Sequence, residues 1–290
     1  MTQIRFWLSS AVLLFSANIL AADNAEWRSM PEVLAAATAK DWREIEPQNL
    51  LYMELDGGTV IMELAPQFAP MHVANLRKLL AAGHFKEASI KRSQDNYVAQ
   101  WSGSGPLGDA AEKLAPEFYR DSRGLTFTKL ASRDPYAAEV GFVDGLPVGR
   151  DPASGRIWLA HCYRMLGAGR DMAADSGNAA ELYVVNGHAP RHLDRNVTLL
   201  GRVIDGIEHL TTLPRGTGPL GFYEDEKDFV RIRSLRLGTD YDNGWQALRT
   251  DTDTFAALVE SRRHRNEDWF LDPAGAIELC NVPLPVRRVE

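Results

Sequence analysis

Cysteine is scarce: Cys162 and Cys280 are the only two in 290 residues, too few for a disulfide-held scaffold. An oxidising compartment would permit one bridge between them, and their spacing leaves open whether they meet. Neither Cys-x-x-Cys nor His-Glu-x-x-His occurs, so a zinc centre has no ligand framework and no metal is expected. A surplus of positive charge is also missing. The formal net charge is −7, and the basic clusters Arg262-Arg263-His264-Arg265 and Arg287-Arg288 are short, which argues against a nucleic-acid partner. Gly167-x-Gly169 lacks the further glycine and lysine of a phosphate loop, so no nucleotide is expected. After residue 22 no apolar run is long enough to span a bilayer.

The apolar run that does exist is at the start. Arg5 precedes Phe6 to Ala22, which is apolar with small residues at its end, the pattern of a secretory signal peptide over residues 1–22, with cleavage near Ala21 or Ala22. A periplasmic or secreted protein without stable membrane insertion is expected. The remainder, in a chain 45% hydrophobic and 24% charged, has the balance of a globular protein rather than a disordered one.

Patterning then divides the chain. Residues 23–48 form an extension in which the Ala-rich stretch after Pro31, up to Arg43, favours helix. Asn49 to Leu64 alternates apolar and polar residues about Asp56-Gly57-Gly58, a hairpin signal. Ala65 to Pro70 stops the second strand, and Met71 to Leu80 has helical spacing until Gly83. Ile90 to Gln100 sets Arg92, Tyr97 and Gln100 along an otherwise apolar strand, which suggests a peptide-handling site. A Gly-, Pro- and Asp-rich insertion covers residues 101–156, with β-like pieces at Gly124 to Leu130 and Glu139 to Val143. Arg156 to Tyr163 is expected as a central strand and Leu166 to Asn178 as a loop rimming a groove. Ile204 to Leu213 should be helical, and Phe229 to Leu237 should be the closing strand. In the tail, residues 239–290, Trp245 to Arg249 and Thr254 to Arg263 look helical, and Trp269, Phe270 and Ala276 to Val282 should pack it down. Many strands with few helices predict a mainly β protein, a closed antiparallel barrel capped by helices.

The order of hairpin, Ala-Pro, helix, Gly and Arg-bearing strand resembles the cyclophilin family of peptidyl-prolyl cis-trans isomerases. Glu181 to Val185 is similar to the family's Gln-Phe-Phe-Ile strand, and Arg191 to Gly206 to its Leu-Asp…Phe-Gly-x-Val…Gly segment, so the resemblance covers about residues 50 to 237 within a domain of 49–238. It implies Arg92 as the catalytic group and Gln100, Tyr97, Val98, Glu181, Tyr183 and Leu193 as the peptide site, with Glu181 able to pair with Arg92. It implies no cofactor, and proline-containing peptides or unfolded exported proteins as partners; the oligomeric state stays open.

The sequence departs from the family at Lys91, at Gln94-Asp95-Asn96, at Trp101-Ser102-Gly103, and at His161, Cys162 and His192. These changes keep open a noncatalytic proline-peptide-binding or chaperone-like module on the same fold. His161, His188 and His192 are not expected to form a metal or acid–base set. Cys162 beside His161 is not expected to form a nucleophile–base pair, since strand neighbours face opposite ways.

Overall fold

The structure, a computed structural model, describes residues 27–289; the signal-like segment 1–22 lies outside the described residues. The hairpin forms as its alternation predicts, with Leu50–Leu55 antiparallel to Gly58–Leu64 and Leu55 opposite Gly58. Pro70 then opens the helix Pro70–Ala81, where a missing N–H costs nothing. Its Val73, Leu76 and Leu79 are fully buried.

The hairpin belongs to a nine-stranded antiparallel sheet. From one edge its strands run Val230–Arg231, Ser89–Ser93, Val98–Ser102, Glu181–Val185, Met165–Ala168, Leu199–Asp205, Gly58–Leu64, Leu50–Leu55 and Ser234–Leu237. The expected closing strand, Phe229 to Leu237, is split in two, and its halves pair with opposite edges: Val230 with Ile90, and Leu235 with Met53. One short stretch of chain therefore joins the two edges and curls the sheet into a barrel, leaving little exposed ladder.

Alternation along each strand then builds a core on either face of the sheet. Ala99, Trp101, Leu182, Val184, Met53 and Met62 face inward, where helix Pro70–Ala81 and Leu210 of the short helix Glu208–Thr211 cap them. The opposite face contributes Val98, Tyr183, Val185 and Leu199 to a second core shared with the insertion and the tail.

The insertion is larger and more regular than its composition suggests. It folds as a five-stranded sheet ordered Arg120–Asp121, Arg156–Leu159, Leu146–Asp151, Glu139–Val143 and Thr128–Leu130. Arg156–Leu159 is thus an insertion strand rather than a central barrel strand, and it stops before His161. The barrel strand is Met165–Ala168, which takes in the first three residues of the expected loop, Leu166 to Ala168. Its Gly167 has no side chain to advertise a strand, but a Cβ there would lie 2.2 Å from Tyr183 Cζ, so the small residue is a packing requirement.

Three further expectations are corrected. The N-terminal helix ends at Ala35, and Trp42–Ile45 is extended. Trp245 to Arg249 is not helical: Gly244–Leu248 lies between Trp42–Ile45 and Val286–Val289 in a three-stranded sheet, with Trp245 and Ala247 buried on one side. Trp269 is 82% exposed and stacks edge-on against Phe270, so it does not anchor the tail. Helix Asp253–His264 forms as expected, capped by the Thr252 hydroxyl, which accepts from Phe255 N–H. Phe255, Leu258, Ile277, Leu279 and Val282 bury the tail on the outer face of the barrel.

Cys162 and Cys280 are joined, across 118 residues, pinning the tail to the segment that leads into Met165–Ala168. Replacing both cysteines by serine should lower unfolding free energy by about 2–5 kcal/mol in urea titrations. Proteolysis of that variant should begin in residues 265–285.

Candidate active site

Arg92 reaches the outer face because the sheet slips. Ile90 pairs with Trp101 and points inward, but the register shifts before Arg92, which pairs with Gln100 instead. Without that bulge Arg92 would share the face of Ile90 and lie in the barrel core. Gln100 is on the outer face because Ala99 and Trp101 are inside, and Tyr183, its partner on the next strand, follows for the same reason.

The guanidinium is held from three sides. Its Nε donates to Leu220 O at 2.7 Å, Nη1 donates to Gln100 Oε1 at 2.8 Å, and Nη2 donates to Gln94 Oε1. It also lies 5.5 Å from the Tyr97 ring centroid and 5.3 Å from that of Phe222. Burial lowers its pKa, with Tyr97 and Glu181 opposing the shift; a guanidinium remains charged at neutral pH regardless.

The expected Arg92–Glu181 pair does not form directly. Gln100 stands between them, donating through Nε2 to Glu181 Oε1 while its own carbonyl accepts from Arg92. The carboxylate thereby fixes which way the amide points without occupying the guanidinium.

Arg92, Tyr97, Val98, Gln100, Tyr183 and Leu193 line one cavity of about 680 Å³; Glu181 does not. The rest of the lining comes from Gly169 to Ala173 and from Val197. The loop after Met165–Ala168 therefore does rim the groove, with Met172 almost fully exposed at the edge.

Tyr183 carries a hydroxyl into an apolar wall, and a buried chain disposes of it. Tyr183 Oη lies 3.0 Å from His161 Nε2, and His161 Nδ1 lies 2.9 Å from Asp194 Oδ1, which also accepts from His161 N–H at 2.8 Å. Arg191 Nε donates to Asp194 Oδ2 at 2.6 Å, and its other nitrogens bind both oxygens of Asp134 at 2.8 and 3.2 Å. Burial pushes Asp194 upward, but the hydrogen bond from His161 and the charge of Arg191 more than offset it, holding the carboxyl below its ordinary value. Burial lowers His161, so the imidazole is neutral. With Asp194 ionised, Nδ1 carries the proton and Nε2 accepts from Tyr183. Burial raises the Tyr183 pKa, so its hydroxyl keeps its proton and directs it away from the cavity. His161 is thus a structural partner of Tyr183, and His188 and His192, both exposed, do not join it.

Several participants were not legible as such in the sequence. In the sequence Gln94 stands out only as a departure from the family, and Leu220 and Phe222 lie in a segment without strand or helix pattern. Their signal is Gly216-Thr217-Gly218-Pro219-Leu220-Gly221: Gly221 has φ +77° and its Cβ would sit 2.6 Å from Gln94 Cα, so the turn can lie against Arg92 only without a side chain there.

This geometry meets the comparisons with known proteins. The family description "Cyclophilin type peptidyl-prolyl cis-trans isomerase/CLD" matches residues 50–236. The chain belongs to the cyclophilin family. The crystal structure of cyclophilin AquaCyp293 from Hirschia baltica superposes with a TM-score of 0.68 over 90% of this chain and 97% of that one, at 23% identity, which speaks for the fold, extensions included. A probable peptidyl-prolyl cis-trans isomerase of Brucella suis biovar 1 is 34% identical over 55 residues, and one of Brucella abortus is 33% identical over 55 residues. Those segments cover 19% of this cyclophilin-family chain and 28% of the relatives' length.

The depressed Asp194 pKa carries a pH signature. Its contribution to stability is full above the unfolded carboxyl value, about 3.9, and is lost as pH falls through the lower folded value. Asp194→Asn should destabilise the protein at neutral pH and flatten the decline in stability below about pH 4. Urea titrations at a series of pH values check both effects.

Proposed function

We propose that this protein is a peptidyl-prolyl cis-trans isomerase that acts on Xaa-Pro bonds of exported proteins and assists their folding. One observation carries the reading: a fixed guanidinium stands at the wall of an apolar cavity, beside Tyr97, Val98, Tyr183 and Leu193. Of the five N–H groups of a guanidinium, three serve Leu220, Gln100 and Gln94 among the described residues, which leaves two.

Rotation about a prolyl amide is opposed by a conjugation barrier of about 18–20 kcal/mol. Lowering it needs no nucleophile and no cofactor. As the bond twists, the nitrogen becomes pyramidal and gains a lone pair that can accept a hydrogen bond, which the planar ground state cannot do. A free N–H of Arg92 aimed at that nitrogen favours the twisted state selectively. The cavity holds the pyrrolidine ring, and its apolar walls strengthen the interaction by excluding water. Gln100, oriented by Glu181, fixes the guanidinium so that little reorganisation is needed during rotation.

The exported location is supported by the signal-like residues 1–22 and by the Cys162–Cys280 bridge, which suits an oxidising compartment. A noncatalytic peptide-binding role is favoured by the departures from the family pattern around the groove, at Lys91, Gln94-Asp95-Asn96 and His192, which alter the contacts that would seat a substrate while leaving the cavity itself in place.

Two-dimensional NMR exchange on a short Xaa-Pro peptide decides between them. An isomerase accelerates exchange, and Arg92→Ala lowers kcat/KM by about 10²–10³-fold, the scale of losing one fixed transition-state donor. Arg92→Lys recovers little, because an ammonium has three donors and no planar fork and cannot serve Leu220, Gln94, Gln100 and substrate together. A binder shifts the peptide resonances while leaving exchange at its uncatalysed rate.

A further inference from the structure

A second cavity of about 500 Å³ lies between the barrel and the tail and shares no residue with the Arg92 cavity. Its size falls within the range of small-ligand sites. The tail segment Leu279 to Val286 forms one wall, and residues 162–165 and 202–204 form another. Met165, Ile204, Leu279 and Val282 make the lining apolar, and two of its residues are cationic, Arg164 and Arg202.

The charges around these two arginines do not balance. Glu63 is the carboxylate that serves Arg202, whose Nε donates to Glu63 Oε2 at 3.0 Å, but Glu63 also binds Arg43. Arg202 has a side chain only 6% exposed, and its Nη2 has no hydrogen-bond partner among the described residues. Arg164 is exposed and forms no ion pair among the described residues. Two guanidiniums therefore share one carboxylate, and a third, Arg164, lines the same apolar hollow as Arg202.

We infer that this cavity binds a fatty carboxylate, its head group at Arg164 and its acyl chain against the tail. The negative head supplies the charge that the cluster lacks, and an unbranched chain matches a lining with few polar groups. An extended peptide fits less well. Pro147, Pro283 and Pro285 contribute wall but no N–H, so a peptide backbone buried there would lose hydrogen bonds to water without replacement. An acyl chain has none to lose. The site is independent of the isomerase reading, since its ligand touches neither Arg92 nor Gln100.

Isothermal titration of the disulfide-intact protein with dodecanoate below its micelle concentration tests this. Saturable binding with one site is expected, weakened at least about tenfold by Arg164→Gln and for dodecanol, the scale of one charge-assisted hydrogen bond. Arg164 is on the surface, so its replacement leaves the core intact; Leu284→Trp, at a half-buried position of the wall, fills the hollow and should remove binding while circular dichroism stays unchanged. The inference is overturned by no saturable binding, by binding indifferent to Arg164→Gln, or by displacement of dodecanoate by an Xaa-Pro peptide, which would place it in the Arg92 cavity. Tighter binding of the tripeptide acetyl-Leu-Val-Leu than of dodecanoate would also overturn it.

Discussion

The one-residue slip between Ile90 and Arg92 is the constraint on which the site depends. A β-strand sends successive side chains to opposite faces, and in this barrel the inner face is committed to Trp101, Leu182 and their neighbours. An arginine in that core would be an uncompensated buried charge. The bulge changes its parity, and Arg92 emerges opposite Gln100 on the outer face, where Tyr97, Tyr183 and Leu193 already stand. Every later feature of the site, from the Gln100–Glu181 link to the turn at Leu220, supports the guanidinium in the position which that slip creates.

The outer face would otherwise be a broad apolar surface, and the rest of the chain covers it. The five-stranded insertion and the tail bury Val98, Val185 and Leu199 and leave the stretch around Gln100 open. The disulfide fastens this cover next to His161, whose imidazole turns the Tyr183 hydroxyl away from the cavity. Gly167 makes the same arrangement possible from the other side, since any Cβ would displace the tyrosine ring. A polar atom in the wall of this apolar cavity is thus tolerated because its hydrogen bond is satisfied within the protein.

The parts of the fold that were legible in the sequence are those with local periodicity. The hairpin around Asp56-Gly57, the helix after Pro70 and the helix capped by Thr252 each carry their own signal. Parity was harder. Leu166 to Ala168 read as loop because Gly167 and Ala168 carry too little side chain to show alternation, and Trp245 reads as helical because its role depends on two distant strands, Trp42–Ile45 and Val286–Val289. Arg156–Leu159 was recognisable as a strand but not as a member of a separate sheet, since pairing partners are not written in a strand's own residues. At the cavity, six of the seven residues that the resemblance names line one wall or another, and the structure supplies their wiring. Glu181 reaches Arg92 only through Gln100, and the carbonyl of Leu220 could not be read from any side chain.

The most direct test of the account is a crystal structure with an Xaa-Pro peptide bound. The account predicts the pyrrolidine ring among Tyr97, Val98, Tyr183 and Leu193, with a free N–H of Arg92 within hydrogen-bond reach of the prolyl amide and the Gln94, Gln100 and Leu220 contacts retained. A peptide bound along Gly169 to Ala173 with its proline outside the cavity, or one that leaves Arg92 without a contact to the amide, would contradict it.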